Sequence, residues 1–196
     1  MIFTLDLASN HYPVITSVEG LPHDSFSILP CSSVFGGVVI MASNSIVYVD
    51  QTSRRVALPV NGWPSRISDL AMLQVPSGQE ARNLALEGAR GVFVDDKTLF
   101  VVLNNGTIYP VEIVSEGKTV SNLTMAAPLA QTTIPTLIKR VDNELLFIGS
   151  TVAPSVLLKA ARVEETLDPS IDSAKEPTAV VDTSAMLLDD DDGQSL

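Results

Sequence analysis

The segment from Lys97 to Val114 constrains the fold of this chain more than any other stretch. Two runs rich in β-branched and aromatic residues flank the dipeptide Asn105-Gly106. That dipeptide favours a type I′ turn, in which both central residues take positive φ and the flanking strands keep their natural twist. Leu99 to Leu103 is apolar at every position, which predicts a strand buried on both faces. The segment therefore predicts a β-hairpin inside layered sheets, with a bulge or an unpaired position at Pro110, which lacks a backbone donor.

Two further hairpins repeat this pattern of an apolar strand, a small or polar turn and a returning strand. The three hairpins begin near Val38, Leu99 and Leu145. Propeller blades recur roughly every 40 to 50 residues and hold about four strands each. The recurrence predicts an all-β fold, a partial β-propeller with about three blades of antiparallel four-stranded sheets. Because propellers close with about four to eight blades, we expect the remaining blades in a longer parent chain.

Shorter apolar runs supply the other strands of the predicted blades. They are Ile2 to Leu7, Phe26 to Pro30, Arg54 to Val60, Asn83 to Ala89, Gly91 to Val94, Thr119 to Met125, Thr133 to Val141 and Ser155 to Val163. The strand at Ile2 opens directly after Met1, which also suggests a chain cut from a longer protein. Between Ser65 and Glu80 we predict a loop with at most one helical turn, because Pro76 and Gly78 interrupt the apolar spacing.

The distribution of acidic residues differs between two regions of the chain. The net charge is −11, and much of the acidic excess follows Glu164. Residues 1–163 are predicted to form the partial propeller, and residues 164–196 an acidic disordered linker or tail, within which Met186-Leu187-Leu188 is a small apolar group. An acidic chain is a poor candidate for holding a nucleic-acid backbone by charge alone.

Cysteine usage and hydropathy indicate the compartment. Cys31 is the only cysteine, which excludes an internal disulfide framework and favours a reducing compartment. The first residues lack the basic region of a signal peptide. No apolar run approaches the roughly 20 residues that span a bilayer, so we predict no membrane partner.

Catalytic and metal chemistry is not predicted. His11 and His23 are the only histidines, and neither has cysteines or carboxylates at metal-ligand spacing. Cys31 lacks a base at a recognisable spacing, so we interpret it as a packed thiol. Asp95-Asp96 is interpreted as a turn before a strand. The sequence therefore predicts no catalytic residue, no metal site and no cofactor.

Five residues are candidate contacts with RNA or a protein partner. Arg54-Arg55 and Lys139-Arg140 are basic pairs, but neither has the interleaved aromatic residues of single-strand binding surfaces. Trp63 is the only tryptophan and lies in a predicted loop, where an aromatic side chain can anchor an interface or pack beneath the loop. Direct RNA binding by a propeller module therefore stays open as an alternative. An enzymatic propeller would need acids, histidines or a metal in further blades.

Six motifs in order resemble one family. They are His11-Tyr12-Pro13-Val14-Ile15, Leu21-Pro22-His23-Asp24, Gly36-Gly37-Val38-Val39-Ile40, Asn44-Ser45-Ile46-Val47-Tyr48-Val49-Asp50-Gln51, Leu145-Leu146-Phe147-Ile148-Gly149-Ser150 and Ser155-Val156-Leu157-Leu158-Lys159. The stretch from Pro13 to Ala160 resembles the first β-propeller of the large subunit of the cleavage and polyadenylation specificity factor. Sibling propeller scaffolds of splicing and DNA-damage recognition share the glycine-rich strand and remain alternatives. The segment Thr151 to Pro154 departs from the glycine-containing turn that we expect in the family.

The resemblance implies a nuclear, non-enzymatic scaffold of the machinery that cleaves and polyadenylates pre-messenger RNA. It implies partners among the other subunits of that complex, including a WD40-repeat subunit and a zinc-finger subunit that read the polyadenylation signal. RNA would then be bound through the complex. No partner-contact residue is carried over from the family.

Overall fold

The computed structural model describes residues 2–3, 8–67, 71–73, 83–142 and 144–159. Within these residues the regular structure is almost entirely antiparallel β-strand, as predicted. In chain order the strands are β1 (Ile2–Phe3), β2 (Val14–Thr16), β3 (Ser25–Pro30), β4 (Val38–Ala42), β5 (Ser45–Val49), β6 (Arg55–Pro59), β7 (Arg90–Phe93), β8 (Thr98–Val102), β9 (Thr107–Glu116), β10 (Thr119–Met125), β11 (Ala130–Gln131), β12 (Leu137–Arg140), β13 (Leu145–Gly149) and β14 (Val156–Lys159). One helical turn, α1 (Pro64–Ile67), and a 3₁₀ turn at Ala71–Leu73 lie between β6 and β7.

The first blade is the four-stranded sheet β3-β4-β5-β6. Its central strands β4 and β5 are buried almost throughout, because their residues are apolar or small at every position. Gly37, before β4, takes a φ of +73°, and a side chain there would meet the Val49 carbonyl. The edge strand β3 exposes Ile28, whose neighbour across the ladder, Ile40, is buried.

The second blade repeats that order with β7-β8-β9-β10, and the short strand β11 adds to the start of β9. The predicted strand from Leu99 to Leu103 forms its middle. One face of this strand (Leu99, Val101 and Leu103) packs towards the first blade, and the other (Phe100 and Val102) packs towards the third. Burial on both faces is therefore confirmed, and it reflects a sheet held between two others.

The third blade contains the three strands β12-β13-β14, and β1 pairs with β2 in a separate two-stranded sheet. The hairpin β13–β14 keeps a regular register, with Ile148 opposite Val156, even though Thr151 to Pro154 replace the turn expected from the family. Ser150 and Ser155 stabilise that turn, since their hydroxyls accept bonds from nearby backbone amides.

The blades stack through apolar faces, and this stacking forms the core. The largest buried cluster joins the first and second blades and includes Met41, Ile46, Leu99 and Leu123. A second cluster joins Val102 and Ile108 to Leu146 and Ile148 of the third blade. The outermost strands β6 and β10 contact each other, and so do the first strands β7 and β12 of the second and third blades. Equivalent strands meeting in this way are typical of neighbouring propeller blades.

The turn at Asn105-Gly106 differs from the type I′ turn that we predicted. Gly106 has a φ of +86°, but Asn105 does not take positive φ. The Gly106 amide donates to the Leu103 carbonyl at 2.9 Å, and Leu103 and Thr107 are also bonded. This arrangement is a three-residue loop, a type I turn followed by a left-handed glycine. Only Gly106 needs positive φ, so the dipeptide specified a hairpin but not its turn type.

Of the two alternatives predicted at Pro110, a bulge or an unpaired position, the bulge is absent, because β9 pairs with β8 in regular register through Pro110. On the other side, the ladder with β10 reaches only Val111. The Pro110 carbonyl accepts a bond from Ala126 at 3.0 Å. Since the nitrogen and the carbonyl of a strand residue face the same side, the missing donor faces the connection between β10 and β11. The ladder is instead irregular in β10, where the register shifts between Val120 and Asn122.

Two strand predictions need correction. Asn83 to Ala89 does not form a strand: Leu84 and Leu86 each donate one bond, to the Val60 and Ser43 carbonyls, and no ladder follows. The strand predicted at Thr133 is confined to β12. Of the first and last predicted strands, residues 4–7 and 160–163 lie outside the described part, as does the acidic region 164–196. In the segment from Ser65 to Glu80, predicted to hold at most one helical turn, α1 is followed by a second, 3₁₀ turn at Ala71–Leu73, and residues 68–70 and 74–80 lie outside the described part. None of the described helices has the length and hydropathy needed to cross a membrane.

Candidate functional site

The loop that leaves the first blade is held by the side chain of Asn61. Asn61 is only 4% exposed. Its amide nitrogen donates to the Leu84 carbonyl at 2.6 Å and to Asn44 Oδ1 at 2.9 Å, while its Oδ1 accepts a bond from the Trp63 amide at 2.9 Å. Asn44 in turn donates to Asp24 at 2.8 Å. This network fixes the loop against the turn between β4 and β5.

Trp63 projects from that fixed loop into solvent. Its side chain is 57% exposed, and the Arg66 guanidinium carbon lies 5.8 Å from the centre of its ring. A cation at this distance over an indole face is in range for a cation–π interaction. Of the two alternatives considered for Trp63, packing beneath the loop does not occur, because more than half of the side chain faces solvent. The contribution of Arg66 was not predicted, although its position three residues along a helical turn could have indicated it.

Arg54 and Arg55 lie at the other end of β6. The turn before them is organised by Asp50, whose Oδ1 accepts bonds from the backbone amides of Thr52 and Arg54 and from the Thr52 hydroxyl. Desolvation acts to raise the pKa of Asp50, but these hydrogen bonds outweigh it and leave the pKa below its ordinary value. Arg55 extends towards the Gly20 carbonyl, 3.4 Å from its Nη1.

Lys139 and Arg140 lie on β12 in the third blade, and they point to opposite faces of that strand. Lys139 is exposed and stands opposite Phe147, whereas Arg140 is half-buried and donates from Nε to the Asp142 carbonyl at 2.9 Å. The two basic pairs therefore occupy different blades, and Trp63 lies beyond the opposite end of β6 from Arg54. The structure does not bring the five predicted contact residues into one basic surface.

Arg90, which the sequence did not single out, connects the second and third blades. Its Nε donates to the Thr136 carbonyl at 2.8 Å, and its Nη1 donates to the Gly88 and Ala89 carbonyls at 3.1 Å each. The guanidinium thereby satisfies carbonyls from both sides of the junction. It positions the blades relative to each other.

The surroundings of Cys31 and Asp95 are those of a packed thiol and of a turn residue. Among the described residues no three histidine, cysteine, aspartate or glutamate side chains are close enough to hold a metal ion. Burial raises the pKa of the Cys31 thiol to about 11, so the thiol stays protonated and unreactive at neutral pH. Asp95 accepts bonds from the amides of Lys97 and Thr98 at 2.8 and 2.7 Å, as expected for a turn residue.

Comparison with known proteins identifies the family. The model of the family described as the RSE1/DDB1/CPSF1 first β-propeller matches residues 1–184. The chain belongs to this family. The three stacked blades described above are thus part of the first propeller of an RSE1/DDB1/CPSF1-type chain.

Among curated relatives, protein cft1 of Schizosaccharomyces pombe is 28% identical over 82% of this chain and 12% of its own length. Protein cft1 of Aspergillus fumigatus is 30% identical over 76% of the chain and 10% of its own. Cleavage and polyadenylation specificity factor subunit 1 of Arabidopsis thaliana is 27% identical over 76% of the chain and 10% of its own. The chain thus spans about a tenth of the length of these relatives.

Proposed function

We propose that this chain is a non-enzymatic scaffold segment of the nuclear machinery that cleaves and polyadenylates pre-messenger RNA. The observation that carries the proposal is the match to the first-propeller family over residues 1–184, together with relatives named cft1 and cleavage and polyadenylation specificity factor subunit 1. Its blades would support assembly of the complex, and RNA would reach it through other subunits. The partners proposed are a WD40-repeat subunit and a zinc-finger subunit.

The geometry supports a scaffold. Stacking buries both faces of β8 in the second blade, and the loops and strand ends are among the surfaces that partners can reach. On that surface Trp63 and Arg66 form a fixed aromatic and cationic pair, and tryptophan and arginine are enriched among residues that dominate binding energy at interfaces. We propose Trp63 as a partner contact, with Arg54, Arg55, Lys139 and Arg140 as weaker, separate contacts.

Affinity purification tests the assignment. A tagged full-length parent chain, expressed in its own cells, should recover subunits of the 3′-end processing complex from nuclear extract. Recovery of splicing or ubiquitin-ligase components alone would assign the chain to a sibling scaffold and overturn the proposal.

A matched pair of variants tests the Trp63 contact. Trp63→Ala in the parent chain should weaken recovery of at least one subunit. Val152→Ala, which alters a residue 70% exposed in the turn between β13 and β14, should leave recovery unchanged. Equal recovery with both variants would remove Trp63 from the interface.

Direct RNA binding is the alternative function, and the exposed ring of Trp63 is the observation that favours it, since bases stack on such rings. It predicts binding of single-stranded RNA that weakens steeply as salt is added. Binding of labelled RNA by the 196-residue chain at low salt, lost in Trp63→Ala, would establish it. We expect no such binding, because the basic residues are dispersed over different blades.

A further inference from the structure

The chain contains two Asn-Gly dipeptides, Asn61-Gly62 and Asn105-Gly106. Asparagine before glycine is prone to deamidation, because no Cβ hinders the glycine nitrogen when it attacks the asparagine side chain. In that reaction the deprotonated nitrogen bonds to Cγ, the bond from Cγ to Nδ2 breaks, and Nδ2 takes up a proton and leaves as ammonia. Water then opens the succinimide ring to aspartate or isoaspartate. Since water is the only co-reactant, the surroundings of the two nitrogens set the rate.

At the first dipeptide the fold holds the departing nitrogen. Asn61 is 4% exposed, and its Nδ2 donates to the Leu84 carbonyl at 2.6 Å and to Asn44 Oδ1 at 2.9 Å. Its Oδ1 accepts a bond from the Trp63 amide at 2.9 Å. Attack on Cγ would pull the side-chain amide out of these bonds. The amide is therefore retained, although the Gly62 nitrogen has no hydrogen-bond partner among the described residues.

At the second dipeptide the fold holds the attacking nitrogen instead. The Asn105 side chain is exposed, so its amide is open to water. The Gly106 nitrogen, however, donates to the Leu103 carbonyl at 2.9 Å, and Gly106 itself is buried. Asn105 is the third residue of the type I turn, where ψ is about 0°. This angle places the following nitrogen beside the residue's own nitrogen and away from its Cβ, so the nitrogen does not reach Cγ.

Bonds on both sides of Gly106 keep it in this position. Its carbonyl accepts a bond from the Thr132 amide at 2.8 Å, and the Leu103 amide donates to the Thr107 carbonyl at 2.9 Å. The Thr107 amide in turn donates to Asn105 Oδ1 at 3.0 Å. Rotation about ψ of Asn105 would break bonds on either side of the glycine. The loop tip therefore has to open before the glycine nitrogen can attack.

We propose that folding protects both Asn-Gly dipeptides from deamidation through different atoms, the departing Nδ2 at Asn61 and the attacking nitrogen at Gly106. Modification then occurs only when the loop concerned opens. Separate loops open locally with separate free energies, so the two sites react independently. Exposure alone would give a different result, since it would make Asn105 the reactive site.

Each modification is permanent and changes the loop that carries it. Aspartate or isoaspartate at position 61 lacks the Nδ2 that the Leu84 carbonyl and Asn44 Oδ1 accept from. Isoaspartate at position 105 adds a methylene group to the backbone of a loop whose Gly106 already lies against the Thr132 carbonyl. Deamidation at either site therefore records an earlier opening of its loop.

Peptide mass spectrometry of the full 196-residue chain tests the proposal. The chain is kept in mildly alkaline buffer made with heavy-oxygen water, so each deamidation before digestion incorporates one labelled oxygen. We expect both sites to react at least about tenfold more slowly in the folded chain than in guanidinium chloride, where the loops are open. Asn44→Ala removes a partner of Asn61 Nδ2 and should speed deamidation at Asn61 alone. Thr132→Pro removes the donor to the Gly106 carbonyl and should speed deamidation at Asn105 alone.

Two results would overturn the proposal. One is deamidation of Asn61 or Asn105 in the folded, unaltered chain as fast as in guanidinium chloride. The other is unchanged protection of Asn61 in Asn44→Ala, or of Asn105 in Thr132→Pro. Within each variant the other dipeptide is the control for global unfolding, which would speed both sites, and the unaltered chain then decides. The subunits recovered by affinity purification do not enter this measurement, so the proposed function is tested separately.

Discussion

The backbone of Gly91 lies so close to Met41 that a Cβ atom on Gly91 would stand 2.7 Å from the Met41 sulfur. Leu29 closes the same space at 2.8 Å. Met41 is fully buried and has little room to move. Gly91 is therefore the point at which the first strand of the second blade approaches the first blade, and the absence of a side chain permits that approach.

Gly91→Ala should destabilise the chain. Overpacking a filled core costs about 1–3 kcal/mol, and the loss of glycine flexibility in the unfolded chain returns about 0.4–1 kcal/mol. We expect a net loss of about 1–2 kcal/mol in the free energy of unfolding, measured by urea denaturation. Gly62→Ala is the control, because nothing lies within 4 Å of its Cβ position and its φ is ordinary. Equal stability of the two variants would show that the blades can separate at Gly91 without cost.

Gly106→Ala should be more damaging, because two effects coincide there. The φ of +86° strains any other residue, and a Cβ would collide with the backbone carbonyl of Thr132, which cannot rotate away. Gly117 has a similar φ of +61° but open space around it. Gly117→Ala should cost about 1 kcal/mol from backbone strain, and Gly106→Ala at least about 2 kcal/mol. Equal losses in the free energy of unfolding of the two variants, measured by urea denaturation, would mean that a collision with the Thr132 carbonyl adds nothing to the backbone strain.

Local patterns predicted the blades well, because each hairpin is specified by residues close in sequence. The apolar run from Leu99 to Leu103 indicated burial on both faces, and the spacing of three such runs indicated a propeller. The turn at Asn105-Gly106 was predicted wrongly because a two-residue type I′ loop and the observed three-residue loop both place Gly106 at positive φ, so the dipeptide does not distinguish them. Asn83 to Ala89 has strand composition, but its backbone bonds to Val60, which follows β6, and to Ser43, in the turn between β4 and β5, and forms no ladder.

The candidate contact surface was less predictable than the blades. Exposure of Trp63 depends on Asn61, whose bonds reach residues 17 and 23 positions away. Arg54 and Lys139 lie apart because they belong to different blades. Residue composition does not show which blade a residue belongs to. Arg90 acts through backbone carbonyls across a blade junction, and such partners leave no sequence signal. The site was therefore hard to predict because it depends on contacts between residues that are distant in sequence, and not on residue type.

Asn61→Ala should loosen the loop that presents Trp63. Removing the buried amide leaves the Leu84 carbonyl and the Trp63 amide without their partners, and an unsatisfied buried group costs about 1–3 kcal/mol. Trp63 is the only tryptophan, so its fluorescence reports on the loop directly. We expect lower fluorescence anisotropy and a lower urea midpoint. Ser65→Ala removes only one bond, to the Gly62 carbonyl. It should change the fluorescence anisotropy and the urea midpoint much less than Asn61→Ala does.

Cys31 should make stability depend on pH in the alkaline range. Burial raises the pKa of its thiol from 9.0 to about 11 in the folded chain. As pH rises above 9 the unfolded chain loses this proton first, so unfolding releases a proton and stability falls until pH reaches about 11. Below pH 9 the contribution of the protonated thiol is fully present. Tyr48 has a raised pKa as well, caused mainly by burial, so the comparison needs a Cys31→Ala variant.

The Cys31→Ala variant should lose less stability than the unaltered chain between pH 9 and 11, measured by urea denaturation at closely spaced pH values. Thiol reactivity gives an independent reading, because only the thiolate is a nucleophile. A rise of two pKa units lowers the thiolate fraction at pH 8 roughly 100-fold, so alkylation by iodoacetamide should be slower in the folded chain by about that factor. Parallel pH profiles for the two proteins, together with alkylation as fast as in urea, would show that Cys31 is solvated and not packed beneath the first blade.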